Sequence, residues 1–338
     1  MKKILVTGGL GFIGSTVIKM IISNTEDKVL NIDKNSYASM PEALQSVQDD
    51  PRYVFQKINI SDFQQTKEAI ATFLPDVILH LAAESHVDNS INSPREFIES
   101  NIIGTYNLLQ SFNELWTDEE RLSKKFIHVS TDEVYGSLKQ DDAPFTESTK
   151  YSPNSPYSAS KASSDMLVRA WYKTFNIPAI ITNCSNNYGP WQFPEKLIPV
   201  VIHKALNHKN IPIYGDGLNI RDWLFVEDHA AALIKVYQNG RVGEKYNIGG
   251  NNEVSNIDLV HKICALLDRI SPSSDIPKYS DLISFVVDRP GHDLRYAIDA
   301  KKILKDLNFK PQVGINDGLM QTVKWYVENQ DWLNNKAN

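Results

Sequence analysis

Short apolar runs alternate with longer amphipathic segments through the first half of this chain. Lys3–Thr7, Val29–Asp33, Tyr53–Lys57, Val77–Leu81, Phe126–Ser130 and Ala179–Cys184 read as strands. Segments such as FIGSTVIKMIIS and SASKASSDMLVRAWYKTF fill the gaps with apolar positions at helical spacing. Mostly apolar strands joined through helices predict an α/β fold, a doubly wound parallel sheet covered on both faces. After Tyr188 the texture changes. Pro190, Pro194, Pro199 and Pro212, with Gly215 and Gly217, interrupt the alternation and predict a smaller, irregular α/β lobe. The expected division is residues 1–186 plus about 222–248 in the first lobe, and 187–221 plus about 249–338 in the second.

Composition narrows the partners. The chain has 338 residues, 42% hydrophobic and 22% charged, enough for two lobes around a cleft. Its net charge is −6 with no dense basic run, which argues against nucleic acid or an anionic membrane as partner. Any phosphate site must therefore use a few placed cations. Cys184 and Cys264 have no metal-ligand spacing, and the eight histidines show no such grouping, so no metal is expected. Gly8 and Gly9 interrupt the apolar N-terminal run too early for a signal peptide, and no stretch approaches a membrane span. A cytoplasmic location is expected.

The segment VTGGLGFIG places Gly8, Gly11 and Gly14 between the first strand and the first helix. Glycine there allows a tight turn and lets backbone N–H groups approach a pyrophosphate at the positive helix end. Asp33 ends the second strand, where an acid accepts from an adenosine ribose and repels a 2′-phosphate. Together these predict a Rossmann-like NAD site, with Asn59, Ala82 and Ala83 along the same groove.

Two further motifs carry chemistry. YSASK sets Tyr157 and Lys161 four residues apart, on one face of a helix. A phenol is a poor base at neutral pH; a neighbouring ammonium and a cationic nicotinamide ring both favour its ionised form, so a lowered Tyr157 pKa is expected. FIHVSTDEVYG ends an apolar run in Thr131 and two adjacent acids, Asp132 and Glu133. One protonated and one ionised carboxyl side by side suit general acid–base work, and mutual repulsion favours that split. Spacing alone leaves open which is which.

STDEVYG, YSASKASSD, NNYGPWQFPEKLIP, RDWLFVEDH and DRPGHDLRYAID, spread over both lobes, resemble the dTDP-glucose 4,6-dehydratases of the extended short-chain dehydrogenase/reductase superfamily. The resemblance implies a tightly bound NAD regenerated in each turnover, and Thr131, Asp132, Glu133, Tyr157 and Lys161 as catalytic residues, with Asp132 the acid and Glu133 the base. It implies cofactor contacts at Gly8, Gly11, Phe12, Ile13, Gly14, Asp33, Lys34, Asn59, Ile60, Leu81, Ala82, Ala83, Ser100, Tyr157, Lys161 and Asn187. It implies contacts to a nucleotide-diphosphate sugar at Ser85, Thr131, Asn186, Glu195, Lys196, Leu197, Pro212, Ile213, Tyr214, Arg221, Asn256, Arg289 and His292. It also implies a homodimer through the helices around Pro94–Phe112 and Tyr157–Phe175. The chain departs from the family pattern in having Ser39–Met40 after Tyr37–Ala38, Asn59 where an acid is usual, Asn89 for arginine, and Trp191 for tyrosine. Rival readings are a UDP-glucose 4,6-dehydratase, a sugar-nucleotide 4-epimerase and a non-catalytic dinucleotide sensor.

Overall fold

The computed structural model describes residues 1–337. Its main sheet has seven parallel strands: β1 (Lys3–Thr7), β2 (Lys28–Asp33), β3 (Tyr53–Lys57), β4 (Val77–His80), β5 (Lys125–Thr131), β6 (Ala179–Cys184) and, beyond β7 to β9, β10 (Lys245–Ile248). Their spatial order is β10-β6-β5-β4-β1-β2-β3. The order reverses between β1 and β4, and a doubly wound sheet opens its ligand crevice at that reversal. Alternation along β1 explains the two-sided burial. Ile4 and Val6 enter one core with Val17, Ile18 and Leu233, while Leu5 enters the other with Ile70, Leu108 and Val168.

The second lobe is built from β7 (Asn186–Tyr188), β8 (Ile211–Tyr214), β9 (Ile220–Phe225), β11 (Glu253–Ser255) and β12 (Ile283–Val286). β11, β9 and β7 form one small sheet, and β12 pairs with β8. This lobe has its own core around Tyr188, Trp223, Phe225, Leu259 and Tyr326. β9 carries residues from both sides of the division expected at 221/222. After it, the chain returns through the helix Val226–Asn239 to β10 in the main sheet.

Two local features position the chemistry. Ser155 caps the helix Pro156–Phe175 through a reciprocal bond with Ser158, and Pro156 occupies its first turn. Tyr157 therefore sits at the N-terminal end of that helix. Thr131, expected just beyond the fifth strand, is its last residue. Its side chain accepts from the Glu133 N–H at 3.2 Å and caps a 3₁₀ turn over Asp132–Tyr135. The dimer-forming helix expected around Pro94–Phe112 is divided: Pro94–Phe97, a π-helical turn at Ile98–Ile103, then Gly104–Leu115. Among the described residues no helix is long and apolar enough to cross a membrane.

Candidate active site

One groove of about 1560 Å³ runs across the switch point, from the glycine loop to the ends of β5 and β6. Every residue expected to contact the cofactor lines it: Gly8, Gly11, Phe12, Ile13, Gly14, Asp33, Lys34, Asn59, Ile60, Leu81, Ala82, Ala83, Ser100, Tyr157, Lys161 and Asn187. Thr131, Asp132 and Glu133 line the same groove, as do Ser85, Asn186, Glu195 and Lys196.

The glycine end fits a dinucleotide. Gly8 has φ +73°, and a Cβ there would lie 2.6 Å from the Ala82 backbone. A Cβ on Gly14 would lie 2.3 Å from the Gly8 carbonyl oxygen. The helix Phe12–Asn24 has no side-chain cap at Gly11, which leaves its first-turn N–H groups for an anion. Asp33 is fixed by the Leu10 N–H at 3.1 Å and the Asn35 N–H at 2.8 Å. Burial raises its pKa, partly offset by those bonds. Lys34 pairs with Glu84. Asn59 lies two residues past β3, exposed, with its side-chain oxygen accepting from the Ser61 N–H at 3.1 Å. Asn187 is locked by His229 at 2.9 Å and by its own bond to the Ser185 carbonyl at 2.9 Å. We expect Gly14→Ala to destabilise the fold by about 1–3 kcal/mol through backbone overlap. Thermal melting should show a lower Tm, and the purified protein should carry less NAD; an unchanged melt and NAD content would refute the close-approach argument.

At the chemical end, Lys161 is buried and donates to the Val129 carbonyl at 2.9 Å. Burial lowers its pKa, opposed by Asp165 and Cys184. Tyr157 is buried too, with the Thr131 hydroxyl lowering the pKa of its phenol against that burial. The lowering expected for this phenol invoked a bound nicotinamide ring as well as Lys161, and the protein alone shifts it the other way. Burial first, then Glu133, Cys184 and Asp132, push its pKa well above the ordinary tyrosine value. The expectation weighed two cations and left out the acids that share the groove.

Those acids are unlike each other. Asp132 is almost wholly buried; one carboxyl oxygen accepts from Thr131 Oγ1 at 3.3 Å and the other has no partner. Burial, then Glu133 and Asp222, raise its pKa well above the carboxylate range. Glu133 is half-buried and also raised by burial, but Arg289, Arg221 and Lys196 all pull it down. Three cations from three distant segments face the second acid.

The remaining sugar-side residues lie outside the groove. Arg221 is buried against the Tyr296 ring, 4.2 Å from its centroid, and donates to the Ile220 and Asp293 carbonyls at 2.7 and 2.9 Å. Arg289 lies 3.7 Å from Asp88, which also accepts from the Tyr214 hydroxyl at 3.3 Å. His292 contacts Asp288 at 2.6 Å. Pro212 is exposed on β8, whereas the Ile213 side chain is buried in the second core and Leu197 packs against it. For Ile213 that leaves only the main chain for contact with a ligand, because its strand turns the apolar side chain inward. Asn256 opens the helix Asn256–Ile270, its N–H bonded to the Asn219 carbonyl at 3.0 Å. Glu195, expected to face the sugar, accepts from the Tyr37 hydroxyl at 2.9 Å. Asn89 donates to that same hydroxyl at 2.9 Å.

Sequence reasoning missed Ser36, Glu84, Ser130, Cys184, Ser185, Gln192 and Phe193, all of which line the groove. Ser130, Cys184 and Ser185 lie at the carboxyl ends of β5 and β6, where the switch-point rule would have pointed. Among the described residues no cluster of three His, Cys, Asp or Glu side chains could hold a metal.

Comparison with known proteins decides the family. The sequence model for GDP-mannose 4,6 dehydratase matches residues 5–322. A dTDP-glucose 4,6-dehydratase of Neisseria meningitidis is 55% identical, with 100% of this chain and 97% of that protein covered. The chain belongs to the dTDP-glucose 4,6-dehydratase family. The crystal structure of a dTDP-glucose 4,6-dehydratase from Streptomyces venezuelae, solved with NAD bound, superposes with a TM-score of 0.89 at 41% identity, covering 98% of each chain. A Thermotoga maritima UDP-glucose 4-epimerase shares the fold at TM-score 0.84, covering 97% of this chain and 99% of its own, but only 27% of residues are identical. The family's catalytic pattern thus sits on a scaffold that epimerases also use, and fold alone would not separate them.

Proposed function

We propose that this protein is an NAD-dependent lyase that converts dTDP-glucose to dTDP-4-dehydro-6-deoxy-glucose. The reaction comprises transient oxidation at carbon 4, loss of water across carbons 5 and 6, and hydride return to carbon 6. The observation that carries the reading is the unequal pair in the groove beside Tyr157: burial raises both carboxyls, Glu133 and Asp222 push Asp132 further up, and Arg289, Arg221 and Lys196 oppose the rise at Glu133. Oxidation at carbon 4, all that an epimerase requires, has no use for a second acid and base.

Gly8, Gly11 and Gly14 would carry the pyrophosphate of NAD, Asp33 its ribose, and Ala82, Ala83, Ser100 and Asn187 the remainder. When bound, that cofactor accepts the carbon-4 hydride and gives it back at carbon 6. Tyr157, oriented by Thr131, takes the proton of the 4-hydroxyl, and Lys161 supplies the opposing positive charge. The resulting ketone acidifies the carbon-5 hydrogen. Glu133 removes that proton, and Asp132 gives its own to the departing 6-hydroxyl, which leaves as water. Glu133 then reprotonates carbon 5. The product keeps its ketone, so the turnover ends with an extra proton on Tyr157 and one missing from Asp132. Thr131 Oγ1 donates to Asp132 at 3.3 Å.

The first lobe, residues 1–186 with about 222–248, holds the cofactor; the second, 187–221 with about 249–338, holds the nucleotide. Lys196, Arg221, Arg289 and His292 are assigned to the diphosphate, which a chain of net charge −6 must meet with local cations. Pro212, Tyr214 and the main chain of Ile213 are assigned to the base, with Asn256 near the nucleotide. We also propose a homodimer in the cytoplasm. Ile98, Ile103, Tyr106 and Met166 are exposed on the helices expected to pair, and sedimentation at the mass of one chain would remove that assignment.

Incubation with dTDP-glucose and UDP-glucose in parallel, read by product mass, tests the activity. Loss of one water from the thymidine sugar alone supports it. An unchanged mass with altered stereochemistry indicates a 4-epimerase, and no turnover with either indicates a dinucleotide sensor.

A further inference from the structure

The helix carrying Tyr157 and Lys161 continues the same face to Asp165, four residues on. Asp165 is 1% exposed. Its Oδ2 accepts from the Tyr151 hydroxyl at 2.7 Å and the Asn183 amide at 3.4 Å. Its Oδ1 lies 3.1 Å from His128 Nε2. His128 and His80 are opposed residues on β5 and β4, their rings 5.2 Å apart. His80 in turn meets Thr7 on β1 at 2.8 Å and Thr105 at 2.9 Å, and Thr7 accepts from the Ala82 N–H at 3.1 Å. A polar column thus crosses three central strands of the sheet, from Asp165 through His128 and His80 to Thr7. Buried polar groups cost stability unless satisfied, and nothing in the sheet's packing requires a carboxyl there.

Electrostatics run in one direction along this column. Burial pulls both histidines down, which leaves them neutral. Burial alone would raise Asp165, but His128, Lys161 and Tyr151 outweigh it and hold the carboxyl below its ordinary value. Lys161 is buried, and the group that most opposes the loss of its charge is Asp165 on its own helix.

We propose that Asp165 is a positioning residue for the Tyr157–Lys161 pair: fixed by hydrogen bonds from Tyr151 and Asn183, its carboxylate keeps the Lys161 ammonium charged and seated on the Val129 carbonyl. The inference rests on the assignment of Tyr157 and Lys161 to the oxidation step. With the aspartate charge gone, burial discharges Lys161, the phenol loses its cation, and ionisation of Tyr157 moves to higher pH. The other titratable groups facing this pair are Glu133 and Asp132 from the turn after β5, Cys184 from β6, His128 from β5 and His80 from β4. Tyr135, Tyr151 and Lys245 face Asp165. All except Asp165 stay in place in the variants that follow, apart from Tyr151 where it is itself changed.

The test uses NAD-loaded Asp165→Asn, Lys161→Met, the double variant and Asp165→Glu, with single-turnover reduced-nicotinamide absorbance on dTDP-glucose across pH. Asp165→Asn should slow oxidation about tenfold or more near neutrality and move the rising limb to higher pH, since one pKa unit is a factor of ten in ionised base. Asp165→Glu, which keeps the charge, should retain most of the rate. In the Lys161→Met background, Asp165→Asn should add less than about twofold, because the group it acts through is gone. A superimposable pH profile, or the same fold-loss in both backgrounds, overturns the proposal in favour of simple packing. Should Asp165→Asn prove insoluble, Tyr151→Phe must move the limb in the same direction by less, and an unmoved limb there overturns it. Undiminished turnover by Lys161→Met would instead remove the assignment beneath it.

Discussion

Tyr157→Phe is expected to stop formation of reduced cofactor on addition of dTDP-glucose, with a fall of about 10²–10⁴-fold in the oxidation rate. The phenyl ring keeps its edge contact with Phe97, whose centroid lies 6.2 Å from that of Tyr157, so folding and NAD content should be retained. What disappears is the phenolic oxygen assigned to take the 4-hydroxyl proton. Nicotinamide absorbance in a single turnover reads the loss directly. Substantial residual oxidation would take Tyr157 out of the mechanism. In the protein itself the phenol is pushed up by burial and the acids, so its ionisation depends on positive charge brought close to it. Activity should rise with pH on that limb.

Asp132→Asn should separate the steps differently. Oxidation proceeds, but the amide has no proton to give the leaving hydroxyl, so elimination should slow by about 10²–10⁴-fold and the reduced-cofactor signal should persist. Equal loss of both steps would refute the assigned role. The pH dependence follows from the raised Asp132 and the cation-facing Glu133. Elimination needs Asp132 protonated and Glu133 ionised, so it falls as pH rises through the titration of the first and as pH drops through that of the second. The pair titrates as a coupled unit, and Asp132→Asn should remove the alkaline fall of elimination.

Periodicity and spacing alone determined much of this protein. Apolar strands at helix-length intervals dictate a parallel sheet, because a parallel crossover needs a helix and both faces must then be covered. The six strands expected in the first half match β1 to β6 within a residue or two at each end. The Gly8–Gly14 loop and the four-residue step from Tyr157 to Lys161 are local geometry, and local geometry is written in consecutive residues.

Long-range electrostatics and side-chain direction were decided only by the tertiary structure. Asp132 and Glu133 are chemically near-identical neighbours. Their surroundings part them because one enters the sheet end, while the other meets cations from residues 196, 221 and 289. Tyr157 moves up because it is buried and because those same acids share its groove. Ile213 turned into the second core because strand alternation there is set by the pairing of β8 with β12. The His80–His128–Asp165 column depends on the register of β4 against β5, which no single stretch contains. Charge and burial act through space, so they emerge only when segments distant in the chain are brought within a few ångströms.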